Sequence, residues 1–94
     1  MKFMLTYSWK PDMKAHSVAF SRFKETGAVP PKGIEILGQW SRADFNGGFD
    51  LIESDDAAAM AEFALMWSDV LEMTIVPVIE PAAVKKLLKK TGRW

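Results

Sequence analysis

Residues 34–53 read IEILGQWSRADFNGGFDLIE, and the fold turns on this stretch. Ile34, Ile36, Gly38 and Trp40 alternate with Glu35, Leu37, Gln39 and Ser41, the two-residue period of a strand. Asn46-Gly47 supports the positive backbone angles of a tight hairpin, and Phe49 to Glu53 follows as a short strand. The middle of the chain is therefore an antiparallel strand pair. Upstream, Lys2 to Trp9 alternates again, with Phe3, Leu5, Tyr7 and Trp9 opposite Lys2, Met4, Thr6 and Ser8. Pro11 fits the first turn of a helix, and Met13, Ala19, Phe20 and Phe23 recur at helical spacing until Gly27, predicting a helix over residues 11–26. Downstream, Ser54 or Asp55 can cap a helix over residues 55–69 whose buried stripe is Met60, Phe63, Ala64, Trp67 and Leu71. Met73 to Ile79 reads as a strand that Pro77 assigns to a sheet edge, because proline cannot donate to a ladder. Pro81 opens an amphipathic helix reaching about Lys90.

The order β-α-β-β-α-β plus a terminal helix predicts an α+β, ferredoxin-like plait, an antiparallel four-stranded sheet with two helices on one face. With 94 residues and 49% hydrophobic content, the chain suits a single domain over residues 1–94, of which 80–94 are the C-terminal helix and tail. The absence of cysteine excludes disulfides, thiol nucleophiles and thiolate metal sites, and a lone histidine excludes zinc sites built from several histidines. No run approaches the roughly 18–20 apolar residues of a membrane span, and the start lacks a signal-peptide pattern, so the expected location is cytoplasmic.

Zero net charge conceals an uneven distribution. Residues 1–42 carry seven Lys/Arg and three acids, residues 43–80 nine acids and no Lys or Arg, and residues 81–94 five cations and no acid. The nearest partner for the basic tail is the acidic middle of the same chain or of a second copy, so neither nucleic acid nor membrane is an expected partner. Two helices cover one face of a four-stranded sheet, and neither side of the first strand reads as a solvent face, since Met4 and Thr6 oppose Phe3, Leu5 and Tyr7. A homodimer with the open sheet faces packed together is the expectation.

Tyr7-Ser8-Trp9-Lys10-Pro11-Asp12, Thr26-Gly27-Ala28 running through Pro30-Pro31 and Gly33 to Leu37-Gly38-Gln39-Trp40, Gly48-Phe49 with Glu53-Ser54-Asp55-Asp56, and Trp67-Ser68-Asp69 before Pro77-Val78 together resemble the 3303 domain-of-unknown-function family over about residues 2–80. That family looks like part of the dimeric α/β barrel superfamily, with its small cofactor-independent monooxygenases, muconolactone isomerases and stress-responsive barrels. The resemblance implies a dimeric α/β barrel with a cavity between sheet and helices that takes small, often aromatic or acyl molecules. It carries no established reaction.

His16 precedes Ala19, Phe20 and Phe23 at helical spacings and so sits on the stripe facing the sheet. It is the only side chain here that, unperturbed, exchanges a proton near neutral pH, which makes it the candidate catalytic acid/base if it lines a cavity, and otherwise a helix histidine bonded to a carbonyl. Trp40 and Arg42 share a strand face with Ile34, Ile36 and Gly38, and a strand-interior glycine marks a bulge or a close approach to the backbone. Tyr7 and Trp9 would add aromatic walls and a phenol, and Trp67 a further wall; each serves equally as core. The candidate ligand-binding set is thus Tyr7, Trp9, His16, Trp40, Arg42 and Trp67.

Glu53-Ser54-Asp55-Asp56 is explained by helix capping, and Gly47-Gly48 is a turn lacking the lysine of a phosphate loop, so no metal and no cofactor is expected. Three readings remain open: a module binding a small apolar or aromatic molecule, a cofactor-independent enzyme using His16, and a structural protein with a filled core.

Overall fold

Alternation makes Lys2–Trp9 a strand, and that segment is β1 of the computed structural model, which describes residues 1–12 and 14–94. It is followed by α1 (Ala15–Thr26), β2 (Glu35–Ser41), β3 (Gly48–Glu53), α2 (Ala57–Trp67), β4 (Leu71–Val78) and α3 (Pro81–Lys90). The sheet order is β2-β3-β1-β4 with every pair antiparallel, an α+β arrangement consistent with the ferredoxin-like plait. β4, which carries Pro77, lies at the edge the sequence assigns to it.

Local chemistry sets the helix boundaries. α1 starts at Ala15 rather than near Pro11, because the Asp12 carboxylate accepts the Lys14 N–H at 2.9 Å and the Asp12 carbonyl accepts the Ala15 N–H at 3.0 Å, closing a turn ahead of the helix. Met13, placed on the stripe of this helix by its spacing, lies outside the described residues. Gly27 ends α1 in the left-handed conformation (φ 67°), its N–H bonded to the Phe23 carbonyl. Asp56, not Ser54 or Asp55, caps α2 through the Ala59 N–H at 3.1 Å. The Ser54 hydroxyl instead donates to the Gly33 carbonyl at 2.7 Å, tying the approach to β2 to the start of α2.

The core lies between the two helices and one sheet face. Leu5 and Ile52 from the strands meet Ala15 and Ala19 from α1 and Ala59, Met60, Phe63 and Trp67 from α2, with Ile52 fully buried. Burying the Leu, Ile, Met and Phe side chains among these is worth about 1.5–3 kcal/mol each relative to exposure. The opposite face holds Met4, Leu51 and Gly38 in one row and Thr6, Phe49 and Trp40 in the next, with Trp40 56% exposed.

β2 departs from simple alternation. Ile36 pairs with Ile52 but Gly38 pairs with Leu51, so Leu37 is an extra residue and the strand bulges there. One inserted residue reverses the face of everything beyond it. Trp40 and Arg42 therefore do not continue the face of Ile34 and Ile36: Gly38 and Trp40 lie on the open face, and Gln39 and Ser41 turn toward the helices. The Trp40 ring folds over Gly38, where a Cβ would overlap it.

The β2–β3 connection is also longer than a tight Asn-Gly hairpin. It runs over residues 42–47, closed by the Arg42 N–H on the Gly47 carbonyl at 2.8 Å, with positive φ at Phe45 and Gly47 instead of at Asn46. α3 has no buried residue, Val84 and Leu87 on its apolar side are 39% and 51% exposed, and among the described residues none of its lysines pairs with an acid of the chain. No helix among the described residues is long and apolar enough to cross a membrane.

Candidate functional site: a cavity between sheet and helices

A cavity of about 170 Å³ opens between the Trp9 end of the sheet and helices α1 and α2. Its floor is the helix-facing side of all four strands: Leu5, Tyr7 and Trp9 from β1, Gln39 and Ser41 from β2, Asp50 from β3, and Leu71 and Met73 from β4. Phe63 and Trp67 from α2 and Ala19 from α1 form the far wall, all buried. The mouth is aromatic, because Phe20 and Phe23 of α1 and Phe45 of the β2–β3 loop line the cavity while remaining 45%, 54% and 61% exposed.

The polar groups are gathered at one place by register. Leu5, Asp50 and Gln39 form one cross-strand row, and Tyr7, Gly48 and Ser41 the next. Gly48 makes this corner possible: a Cβ there would overlap the Tyr7 hydroxyl and the Trp40 carbonyl oxygen, so the phenol lies directly over bare backbone. Asp50 is only 8% exposed. Burial holds its carboxyl above the ordinary carboxylate range, a rise that Gln39 opposes. Burial likewise pushes the Tyr7 phenol up, with Ser41 opposing and the charge of Asp50 adding to the rise.

Of the residues singled out from sequence, the structure brings Tyr7, Trp9 and Trp67 together in the cavity wall. His16 stands outside that wall. Its ring packs edge-on to Trp9 at 4.5 Å between centroids and against Phe20 at 4.9 Å, and its Nε2 lies 3.3 Å from the Phe45 carbonyl. That carbonyl also accepts the Trp9 indole N–H, so both side chains anchor the loop at the mouth. Trp40 lies across the sheet on the open face, and Arg42 pairs with Asp44 at 2.5 Å within the loop. Neither lines the cavity.

Sequence reasoning missed Gln39, Ser41 and Asp50. Asp50 carried a readable signal, an acid at the same strand parity as the core residue Ile52. Gln39 and Ser41 carried none beyond Gly38, since their direction depends on the bulge. Among the described residues no three His, Asp or Glu side chains are gathered as a metal site would require. The arrangement offers an open-mouthed apolar chamber of single-ring size with an acid, a phenol, an amide and a hydroxyl at one end.

No curated protein matches the chain. A family model covers residues 1–92, nearly all of the sequence, and with it the sheet, the cavity and α3. The chain belongs to the family described as domain of unknown function (DUF3303).

Proposed function

We propose that the domain is a binding module for a small apolar or aromatic molecule held between the sheet and the helices. The observation that carries this reading is the cavity itself: about 170 Å³ walled by aromatic and aliphatic side chains, with its polar groups, the buried Asp50, the half-buried Tyr7 and the exposed Gln39 and Ser41, gathered at one end. An apolar cavity of roughly 150 Å³ accepts a benzene-sized guest, and a few placed polar groups in an apolar chamber are the usual form of a ligand site. His16, outside the wall, serves this reading by holding Trp9, Phe20 and the Phe45 loop in place rather than by proton transfer. The test is a titration with 4-fluorotoluene followed by fluorine NMR, with amide shifts of the labelled protein as the locator. Saturable binding that moves the Tyr7, Gly48 and Asp50 amides supports the reading, and no saturable shift up to the solubility of the probe overturns it.

The open sheet face favours a second copy of the chain as its cover, giving the dimeric α/β barrel. Met4, Leu51, Phe49, Trp40 and Val76 make an apolar patch, with Phe49, Trp40 and Val76 between 40% and 56% exposed. Patches of this kind mark contact surfaces, and one that is self-complementary closes under two-fold symmetry. Light scattering after size exclusion should give twice the chain mass, and Trp40→Lys or Val76→Lys should give the monomer mass. A wild-type monomer at micromolar concentration would overturn this assembly.

A further inference from the structure

We infer that the cavity selects a small primary amine, a protonated ammonium carried on a short aromatic or aliphatic body, and that Asp50 is its counter-charge. This rests on the reading of the cavity as a ligand site and adds the chemical class of the ligand.

The argument begins from an imbalance of charge. Among the described residues that line the cavity, Asp50 is the one acid, and Lys, Arg and His are absent. At 8% exposure Asp50 is among the most deeply placed polar side chains of the chain, and among the described residues it belongs to no ion pair. A carboxylate taken out of water with an amide, Gln39, but no cation for a partner is costly, and folded chains retain one chiefly where something else supplies the opposite charge. The other acids of residues 43–80 do not bear this cost: Asp44 and Asp69 have arginines, and Asp56 caps α2.

The surroundings fit an ammonium in two further respects. An ammonium presents three donors and no acceptor, and the polar corner supplies acceptors in matching number: the Asp50 carboxylate, the Gln39 amide oxygen in the same row, and the Tyr7 or Ser41 hydroxyl in the next. Aromatic faces line the rest of the chamber, including Trp9, Trp67, Phe20 and Phe45, and such faces attract a cation as well as an apolar ring. An anion would meet the Asp50 charge with no cation to offset it. The chamber itself is about one ring in volume, so a 2-arylethylamine would set its ammonium and two-carbon arm at the polar end and extend its ring into the aromatic mouth.

The experiment compares three probes of one shape on the full chain at neutral pH by fluorine NMR titration: 2-(4-fluorophenyl)ethylamine, 1-fluoro-4-propylbenzene and 3-(4-fluorophenyl)propanoate. The expected order is amine, then hydrocarbon, then carboxylate, with the amine about tenfold or more tighter than the hydrocarbon, the worth of a charge-assisted hydrogen bond in a desolvated site. In Asp50→Asn the amine should lose that advantage and bind no better than the hydrocarbon binds the same variant. Hydrocarbon binding with an equal or weaker amine overturns the amine assignment and leaves the apolar binding reading standing. An amine preference that persists in Asp50→Asn also overturns the assignment. Failure of all three probes overturns the binding reading itself. Should Asp50→Asn fail to fold, the order of the three probes on the wild-type chain decides the matter alone.

Discussion

Replacing Gly48 by alanine tests the architecture of the polar corner. The new Cβ would overlap the Tyr7 hydroxyl and the Trp40 carbonyl oxygen, and Tyr7 Cζ would stand 2.6 Å away, well inside the 3.4 Å at which ordinary contact begins. The Trp40 carbonyl cannot retreat without disturbing the Trp40–Phe49 and Ser41–Gly48 register, whereas the phenol borders the cavity and is the more movable of the two. Overpacking of this kind costs about 1–3 kcal/mol. Alanine recovers roughly 0.4–1 kcal/mol by restricting the unfolded chain, leaving a net loss of about 1.5 kcal/mol. For a domain of this size that lowers Tm by about 6–12 °C. Urea unfolding followed by tryptophan emission measures the loss, with an unchanged m-value showing that the folded state is otherwise intact. In a Tyr7→Phe background the hydroxyl is gone, so the same alanine should cost at least ~0.5 kcal/mol less, the remainder belonging to the Trp40 carbonyl and the ring Cζ that phenylalanine keeps. A Gly48→Ala protein as stable as wild type, or an equal cost in both backgrounds, would refute the placement of the phenol over bare backbone.

Asp50→Asn should change the pH dependence of stability in a definite direction. Because burial raises the Asp50 carboxyl, the folded chain holds its proton to higher pH than the unfolded chain, so its contribution to stability falls as pH rises from the ordinary carboxylate value through the raised one. Asp44 and Asp69, lowered in the fold, contribute the opposite slope, so the quantity to measure is the difference between wild type and Asp50→Asn. In urea midpoints across pH 4–7 that difference should favour the variant increasingly toward pH 7, and a variant that loses ground as pH rises would refute it. Arg22 joins the helices, reaching Asp69 with two bonds of 2.7–2.8 Å and the Met66 carbonyl with a third while lying over the Trp67 ring at 5.3 Å. Since Asp69 is 59% exposed, Arg22→Ala should cost only about 1 kcal/mol in urea unfolding, with a blue or red shift of Trp67 emission, and a loss above ~3 kcal/mol would contradict that discount. His16→Ala removes the Nε2 contact to Phe45 and two ring contacts, so it should cost about 1 kcal/mol and speed amide exchange across residues 42–47. Unaltered exchange in that loop would show that His16 does not anchor it.

The periodic signals in this sequence translated directly where they are local. Alternation over Lys2–Trp9 became β1 at those residues, Pro81 opened α3, and Pro77 fell on the edge strand, because side-chain period and missing donors act within a few residues. The ferredoxin-like order was readable for the same reason. Tyr7, Trp9 and Trp67 were legible as wall residues because their faces follow from uninterrupted strand or helix periods.

What tertiary structure alone decided is which side of β2 faces the cavity. Leu37 is an extra residue only relative to β3, a relation between segments that no window along β2 contains, and it sends Gln39 and Ser41 inward and Trp40 outward. The depth of Asp50 is decided the same way, since its cost in burial arises from α1 and α2 closing over the sheet. The His16 ring lies against the loop at the mouth and not in the cavity wall because α1 begins at Ala15, after Asp12 captures the Lys14 and Ala15 amides, and because a six-residue loop brings the Phe45 carbonyl to its ring. Sequence by itself determined the elements and their order, through forces that act over three or four residues. Register and packing determined the site, because both are set by contacts between residues far apart along the chain.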